Sequence, residues 1–130
     1  MANHFGEHLT IDGYGGDFNL LSDKQLVLEV LKELPNQLGM QTIIEPQAIE
    51  FPGNDLKDPG GVSGFVMIAE SHISLHTFPK RGFVSIDVYT CQNGLDQERV
   101  KNYFLDKFAL KELEVNFIIR GTKYPETNIF

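Results

Sequence analysis

Between Val62 and Cys91 the chain reads VSGFVMIAESHISLHTFPKRGFVSIDVYTC, an apolar, strand-forming stretch that nevertheless carries Ser63, Glu70, Ser71, His72, Ser74, His76 and Cys91. Burying that many polar groups costs free energy unless each finds a partner, which singles the stretch out as a candidate site. Several chemistries are open to these residue types. His72 and His76 share a strand face and Cys91 could join them on a metal ion. Four residues of strand, however, separate the two α carbons by about 13 Å, too far for easy shared ligation. A serine or cysteine nucleophile with a histidine base is also open, although no nucleophile elbow or oxyanion-hole motif marks it. Gly13, Gly15 and Gly16 do not make the G-x-G-x-x-G of a phosphate loop. The same histidines and serines could equally be ordinary, hydrogen-bonded strand residues.

The elements that must position these residues alternate between strand and helix periodicity along the whole chain, with no repeat, low-complexity tract or long linker. Ser22, followed three residues later by Gln25, reads as a capping box that opens a helix ending near Pro35 or Gly39. Within it Val27, Val30, Leu31, Leu34 and Leu38 form one apolar face. A second helix is expected from Leu95 or Asp96, after the turn dipeptide Asn93-Gly94, presenting Val100, Tyr103, Phe104 and Phe108. Strand patterns cover Glu7 to Tyr14, Thr42 to Phe51, Val62 to Ala69, His72 to Phe78, Phe83 to Thr90 and Leu113 to Ile119. Most connections are too short for parallel crossovers, so the expected fold class is α+β. It is a two-layer sandwich in which a mainly antiparallel sheet carries two helices on one face. The other face keeps apolar residues, which a second copy of the chain could cover.

Composition narrows the partners. The 130 residues suit a single domain with a core that needs no disulfide or structural metal. One cysteine excludes an intramolecular disulfide, and Cys91 reads as a free thiol in a reducing compartment, hence a cytoplasmic protein. No stretch approaches the ~18 apolar residues of a membrane span, and the N-terminus lacks a signal-peptide core, so no membrane partner is expected. A net charge of -7 argues against nucleic acid, whose phosphates need a basic surface, and favours a small cationic or zwitterionic ligand.

The run Ala69-Glu70-Ser71-His72-Ile73-Ser74-Leu75-His76-Thr77-Phe78-Pro79, with Gly61-Val62-Ser63-Gly64 before it and Asp87-Val88-Tyr89-Thr90-Cys91 after it, closely resembles the bacterial and archaeal S-adenosylmethionine decarboxylase family. The likeness extends to Gly6-x-His8, Tyr14-Gly15, the two-helix pattern and Arg120-Gly121, and so spans nearly the whole chain.

The resemblance implies that the chain cuts its own backbone between Glu70 and Ser71 into chains 1–70 and 71–130, Ser71 becoming a covalent pyruvoyl group. The chemical logic is that the Ser71 hydroxyl attacks the Glu70 carbonyl, an ester replaces the peptide bond, and removal of the Ser71 α proton eliminates the ester. By resemblance His76 is the processing base, Ser63 stabilises the intermediates and Cys91 is the proton donor of the finished enzyme. A thiol suits that role because its ordinary pKa lies near neutrality. The pyruvoyl carbonyl would form an imine with an amino-acid substrate and draw off the electrons left by carbon dioxide, so neither pyridoxal phosphate nor a metal is called for. The resemblance also implies a homodimer with residues of both protomers in each site, serving polyamine supply. Strand parity puts Ser71 and His76 on opposite faces, so a turn or break is expected at Glu70-Ser71.

Recognition of the substrate departs from the family. Where these proteins carry a Glu that grips ribose hydroxyls, this chain has Lys80, which cannot accept those hydrogen bonds and repels a cationic sulfonium. The aromatic residue that stacks on adenine in the family, roughly at the position of Lys57, is missing here, where the chain reads Asp55-Leu56-Lys57-Asp58-Pro59-Gly60. The preferred substrate is therefore L-arginine or L-ornithine, its distal cation paired with Asp55 or Asp58, although both also suit a solvated turn. The alternative keeps S-adenosylmethionine, with adenine on Phe51 or Phe78. A third reading is an uncleaved, non-catalytic paralogue.

Overall fold

A computed structural model describes residues 4–54 and 56–130. Its six strands, β1 (Gly6–Tyr14), β2 (Gln47–Phe51), β3 (Gly61–Ile68), β4 (Ser71–Phe78), β5 (Phe83–Thr90) and β6 (Glu112–Arg120), form one sheet in the order β2-β3-β4-β5-β1-β6. Every neighbouring pair is antiparallel. Helices α1 (Phe18–Leu21), α2 (Lys24–Gln37) and α3 (Gln97–Lys107) cover one face, giving the expected α+β sandwich with one helical turn more than the sequence pattern shows.

Period-two alternation fixes which side chains face the helices. Leu9, Val88, Ile73 and Val66 lie in one cross-strand row, and Ile11, Ile86, Leu75 and Gly64 in the next. These rows close on Val27, Val30, Leu31 and Leu34 of α2 and on Val100, Phe104 and Phe108 of α3 as one buried cluster. Each fully buried aliphatic side chain contributes about 1.5–3 kcal/mol. Helix α2 sits so close that a Cβ on Gly64 would stand 2.7 Å from both Leu31 Cδ1 and Val27 Cγ1.

The expected cap moves by one residue. The Asp23 carboxylate, not the Ser22 hydroxyl, accepts from Gln25 and Leu26 backbone N–H at the start of α2. Ser22 instead closes α1 by donating to Phe18 O. The strand expected from Thr42 begins only at Gln47, because Thr42 makes an isolated bridge to Ile68 and Ile43 and Ile44 stay exposed.

Thr77 ties the layers together. It is 2% exposed, donates to Leu21 O at 2.7 Å and accepts from Val62 N–H at 3.0 Å. Thr77→Val keeps the shape but strands both backbone groups, and is expected to lower stability by about 1–3 kcal/mol in a urea titration.

The sheet's other face is bare. Ile49, Phe51, Phe65, Met67 and Ile118 point outward there and remain exposed. Among the described residues no helix is long and apolar enough to cross a membrane.

Candidate active site

The polar residues of the 62–91 stretch fall into two groups. The first lies at the tip of the β3–β4 hairpin, a two-residue turn of Ala69 and Glu70 closed by the pair Ile68 and Ser71. Glu70 has φ 63, the left-handed region that a side chain with a Cβ adopts at a cost of about 1 kcal/mol or more. The expected turn is therefore present, directly before Ser71. Ser71 follows on the helix-covered face, 7% exposed, and its Oγ accepts from Cys91 N–H at 2.9 Å. Cys91, half-buried just past β5, holds its Sγ 4.0 Å from Ala69 O. A left-handed turn residue, a buried hydroxyl and a free thiol thus share one end of the sheet.

The second group lies on the bare face. Ser63 and His76 are cross-strand partners, with Ser63 Oγ 2.7 Å from His76 Nδ1. They border a cleft of about 490 Å³ with Phe51, Asp58, Phe65 and Ser74. Asp58 also borders an adjoining cleft of about 530 Å³, walled by Tyr14, Lys57, Phe78, Arg81 and Phe83. Turn chemistry holds the loop between these clefts: Asp58 Oδ1 accepts from Gly60 N–H and Asn54 Oδ1 accepts from Leu56 and Asp58 N–H. Arg81 latches it by donating to Leu56 O at 3.1 Å.

Strand β4 runs unbroken from Ser71 to Phe78, so the turn does not bring the two groups together. Five residues of strand separate Ser71 from His76 by about 17 Å, and their side chains leave opposite faces. Within one chain Ser71 and Cys91 meet, Ser63 and His76 meet, and the two pairs do not. Of the expected substrate contacts, Asp58 borders the Ser63–His76 cleft. Lys80 does not: it lies in the short 3-10 turn Pro79–Arg81 and borders another pocket with Phe18, Ser22 and Glu50. Asp55 lies outside the described residues.

The other histidines have structural partners. His72 stacks on Phe65 and packs against Tyr89, and burial holds its imidazole below the ordinary histidine pKa. His8 Nε2 donates to Asp87 Oδ1 at 2.9 Å. Burial, then the neighbouring Glu114 and Asp87 carboxylates, push the Asp12 carboxyl above its usual range. Among the described residues no three His, Cys, Asp or Glu side chains are arranged to hold one metal ion.

One residue of the site's surroundings escaped the sequence reading. Glu7 is 5% exposed on the helix-covered face, opposite Thr90. Burial works against its charge, but N–H groups of Leu95 and Gly94 and the His4 ring outweigh that and hold its pKa below the usual carboxylate value. The signal was present in the pattern, since Glu7 occupies the apolar phase of β1 with Leu9 and Ile11.

The chain is similar to known proteins over nearly its whole length. The family model described as S-adenosylmethionine decarboxylase matches residues 7–121. The S-adenosylmethionine decarboxylase proenzyme of Clostridium botulinum (strain Loch Maree / Type A3) is 34% identical over 116 residues, covering 89% of this chain and 94% of that protein. The proenzyme of the same name from Pyrococcus furiosus is 34% identical over 122 residues, covering 94% and 83%. The crystal structure of the adenosylmethionine decarboxylase from Aquifex aeolicus superposes with a TM-score of 0.79 at 28% identity, over 98% of this chain and 99% of that one.

Proposed function

The chain belongs to the S-adenosylmethionine decarboxylase family, and from that premise we propose that it is a self-processing, pyruvoyl-dependent amino-acid decarboxylase that serves polyamine supply. The observation that carries this reading is the hairpin tip, where the left-handed Glu70 precedes a buried Ser71 hydroxyl bonded to the amide of Cys91. Those residues fit the group. Ser71 Oγ attacks the Glu70 carbonyl carbon, the peptide C–N bond breaks and an ester forms. A base then takes the Ser71 α proton, the Cβ–Oγ bond breaks, and the oxygen leaves as part of the Glu70 carboxylate. Water replaces the freed nitrogen, which departs as ammonia. The resulting carbonyl supplies an electron sink for the pair left when carbon dioxide leaves the substrate. Cys91, held beside position 71, delivers the proton that the substrate α carbon then needs.

The base comes from a second copy. Ser63 and His76 lie on the opposite face of their own chain, about 17 Å from Ser71. They stand beside Ile49, Phe51 and Phe65, the apolar surface that a partner would cover. A dimer through this face in which the hairpin tip of one protomer, at the rim of its sheet, reached Ser63 and His76 of the other would unite the two groups.

For the substrate, the preferred reading remains a small basic amino acid, L-arginine or L-ornithine. It is supported by the Asp58 carboxylate at the Ser63–His76 cleft. Asp58→Asn is expected to raise KM for that substrate about tenfold or more, with kcat changed less, since a charge-assisted hydrogen bond contributes about 1.5–3 kcal/mol. An unchanged KM removes Asp58 as the anchor. S-adenosylmethionine is the second reading, favoured by Phe51, whose ring borders the same cleft, and by the relatives' shared name. Carbon dioxide release from the three compounds side by side decides between them: the larger kcat/KM identifies the substrate.

A further inference from the structure

Cys91 opens the connection between β5 and α3, and that connection is tethered on two sides. At its first residue Cys91 N–H donates to Ser71 Oγ at 2.9 Å. At its far end both oxygens of the Glu7 carboxylate are engaged: Oε1 accepts from Leu95 N–H at 2.8 Å and Oε2 from Gly94 N–H at 3.0 Å. Oε2 also accepts from His4 Nε2 at 3.0 Å. Between these ends Gln92 N–H is held by Thr90 Oγ1, and Gly94 turns the chain with φ 84, a conformation that suits glycine. A carboxylate this deeply buried, with every visible partner a loop amide or a histidine, is placed to fix that loop rather than to fill the core.

Self-cleavage as proposed above removes one of these tethers. The Ser71 oxygen leaves with the Glu70 carboxylate, so the matured chain no longer offers Cys91 the hydroxyl it holds in the uncut one. We propose that Glu7 is a positioning residue for Cys91: it anchors the Gly94–Leu95 end of the thiol-bearing loop and keeps that anchor when Ser71 gives up its hydroxyl. This rests on the reading of Ser71 as the residue converted at maturation, but the tether itself exists in the uncut chain and is tested there.

Four chains that stay uncut provide the test. His76→Ala, read in the fraction that hydroxylamine does not cleave and whose Glu70–Ser71 bond is therefore still an amide, keeps the Ser71 hydroxyl; Ser71→Ala removes it; and each is made with Glu7 and with Glu7→Gln, which keeps the side-chain shape but replaces one acceptor oxygen by an NH2. The readout is the rate at which iodoacetamide alkylates Cys91, the chain's one cysteine, together with hydrogen exchange at the Gly94 and Leu95 amides. With the hydroxyl present, Glu7→Gln is expected to change alkylation less than about twofold. Without it the same substitution should accelerate alkylation by about tenfold, the signature of two tethers sharing one loop. A merely structural role would move both backgrounds by the same factor, and that result, or no change in either, overturns the proposal. Should Glu7→Gln loosen the fold as a whole, amide exchange would rise in the sheet as well as at residues 94 and 95, which also counts against it. A wild-type chain that never cuts itself would overturn the function proposed above while leaving the coupling between Glu7 and the Ser71 hydroxyl as measured.

Discussion

Ser71→Ala is expected to yield a folded protein that stays a single 14.7 kDa chain and releases no carbon dioxide from any of the three candidate substrates. The proposed processing exchanges the Glu70–Ser71 amide for an ester through this hydroxyl, so its loss stops processing rather than slowing it. The fold should survive, because Ser71 contributes one side-chain hydrogen bond, to Cys91 N–H, at the tip of a hairpin whose other pairs are intact. Denaturing gel electrophoresis and far-UV circular dichroism check the two halves of this expectation. A cut Ser71→Ala chain would place the nucleophile elsewhere.

His76→Ala should behave differently, and the difference tests the shared site. Without the base, attack by Ser71 can still proceed but elimination cannot, so the chain is expected to rest partly as the ester. Hydroxylamine, which attacks esters and spares amides, should then cut it after Glu70 and leave an unmodified serine at the new terminus. On its own this variant should make no active enzyme. Co-expressed with Ser71→Ala, it should regain activity, because one of the two sites in each mixed dimer combines an intact Ser71 from one chain with an intact His76 from the other. Statistical pairing makes half the dimers mixed, so about a quarter of the wild-type sites return. Dimers in which each site used only its own chain would regain none.

Much of this arrangement was legible in the sequence, for reasons that differ by element. Strand β5 alternates cleanly from Phe83 to Thr90, and its ends appear where the pattern puts them. Helix α1 spans four residues, fewer than periodicity needs, and its presence transfers Ser22 from opening α2 to closing α1. The segment from Thr42 is apolar enough to look like strand, yet it makes a single isolated bridge, Thr42 to Ile68, before the chain leaves the sheet. At the site, resemblance named Ser63, Glu70, Ser71, His76 and Cys91, and parity alone placed Ser71 and His76 on opposite faces. That Ser63 and His76 are bonded partners depends on the turn holding two residues, Ala69 and Glu70, which periodicity does not specify. Lys80 was read by its place in a motif, but the 3-10 turn after Phe78 carries it to a different pocket. Glu7 was passed over because β1 reads as a strand whether or not one of its inward positions is charged.

Self-cleavage at Glu70–Ser71, followed by use of the new terminus for decarboxylation, is what the proposed function requires of this chain. The most direct measurement is denaturing intact-mass spectrometry of the purified protein after reductive trapping with cyanoborohydride, in separate tubes with L-arginine, L-ornithine, S-adenosylmethionine or no addition. Two fragments are expected, 1–70 and a 71–130 chain that begins with a pyruvoyl group, with an adduct carried by the second fragment alone in the tube holding the true substrate. A single uncut chain without adduct in every tube would contradict the proposed function, and a non-catalytic binding protein of the same fold would then be the better account.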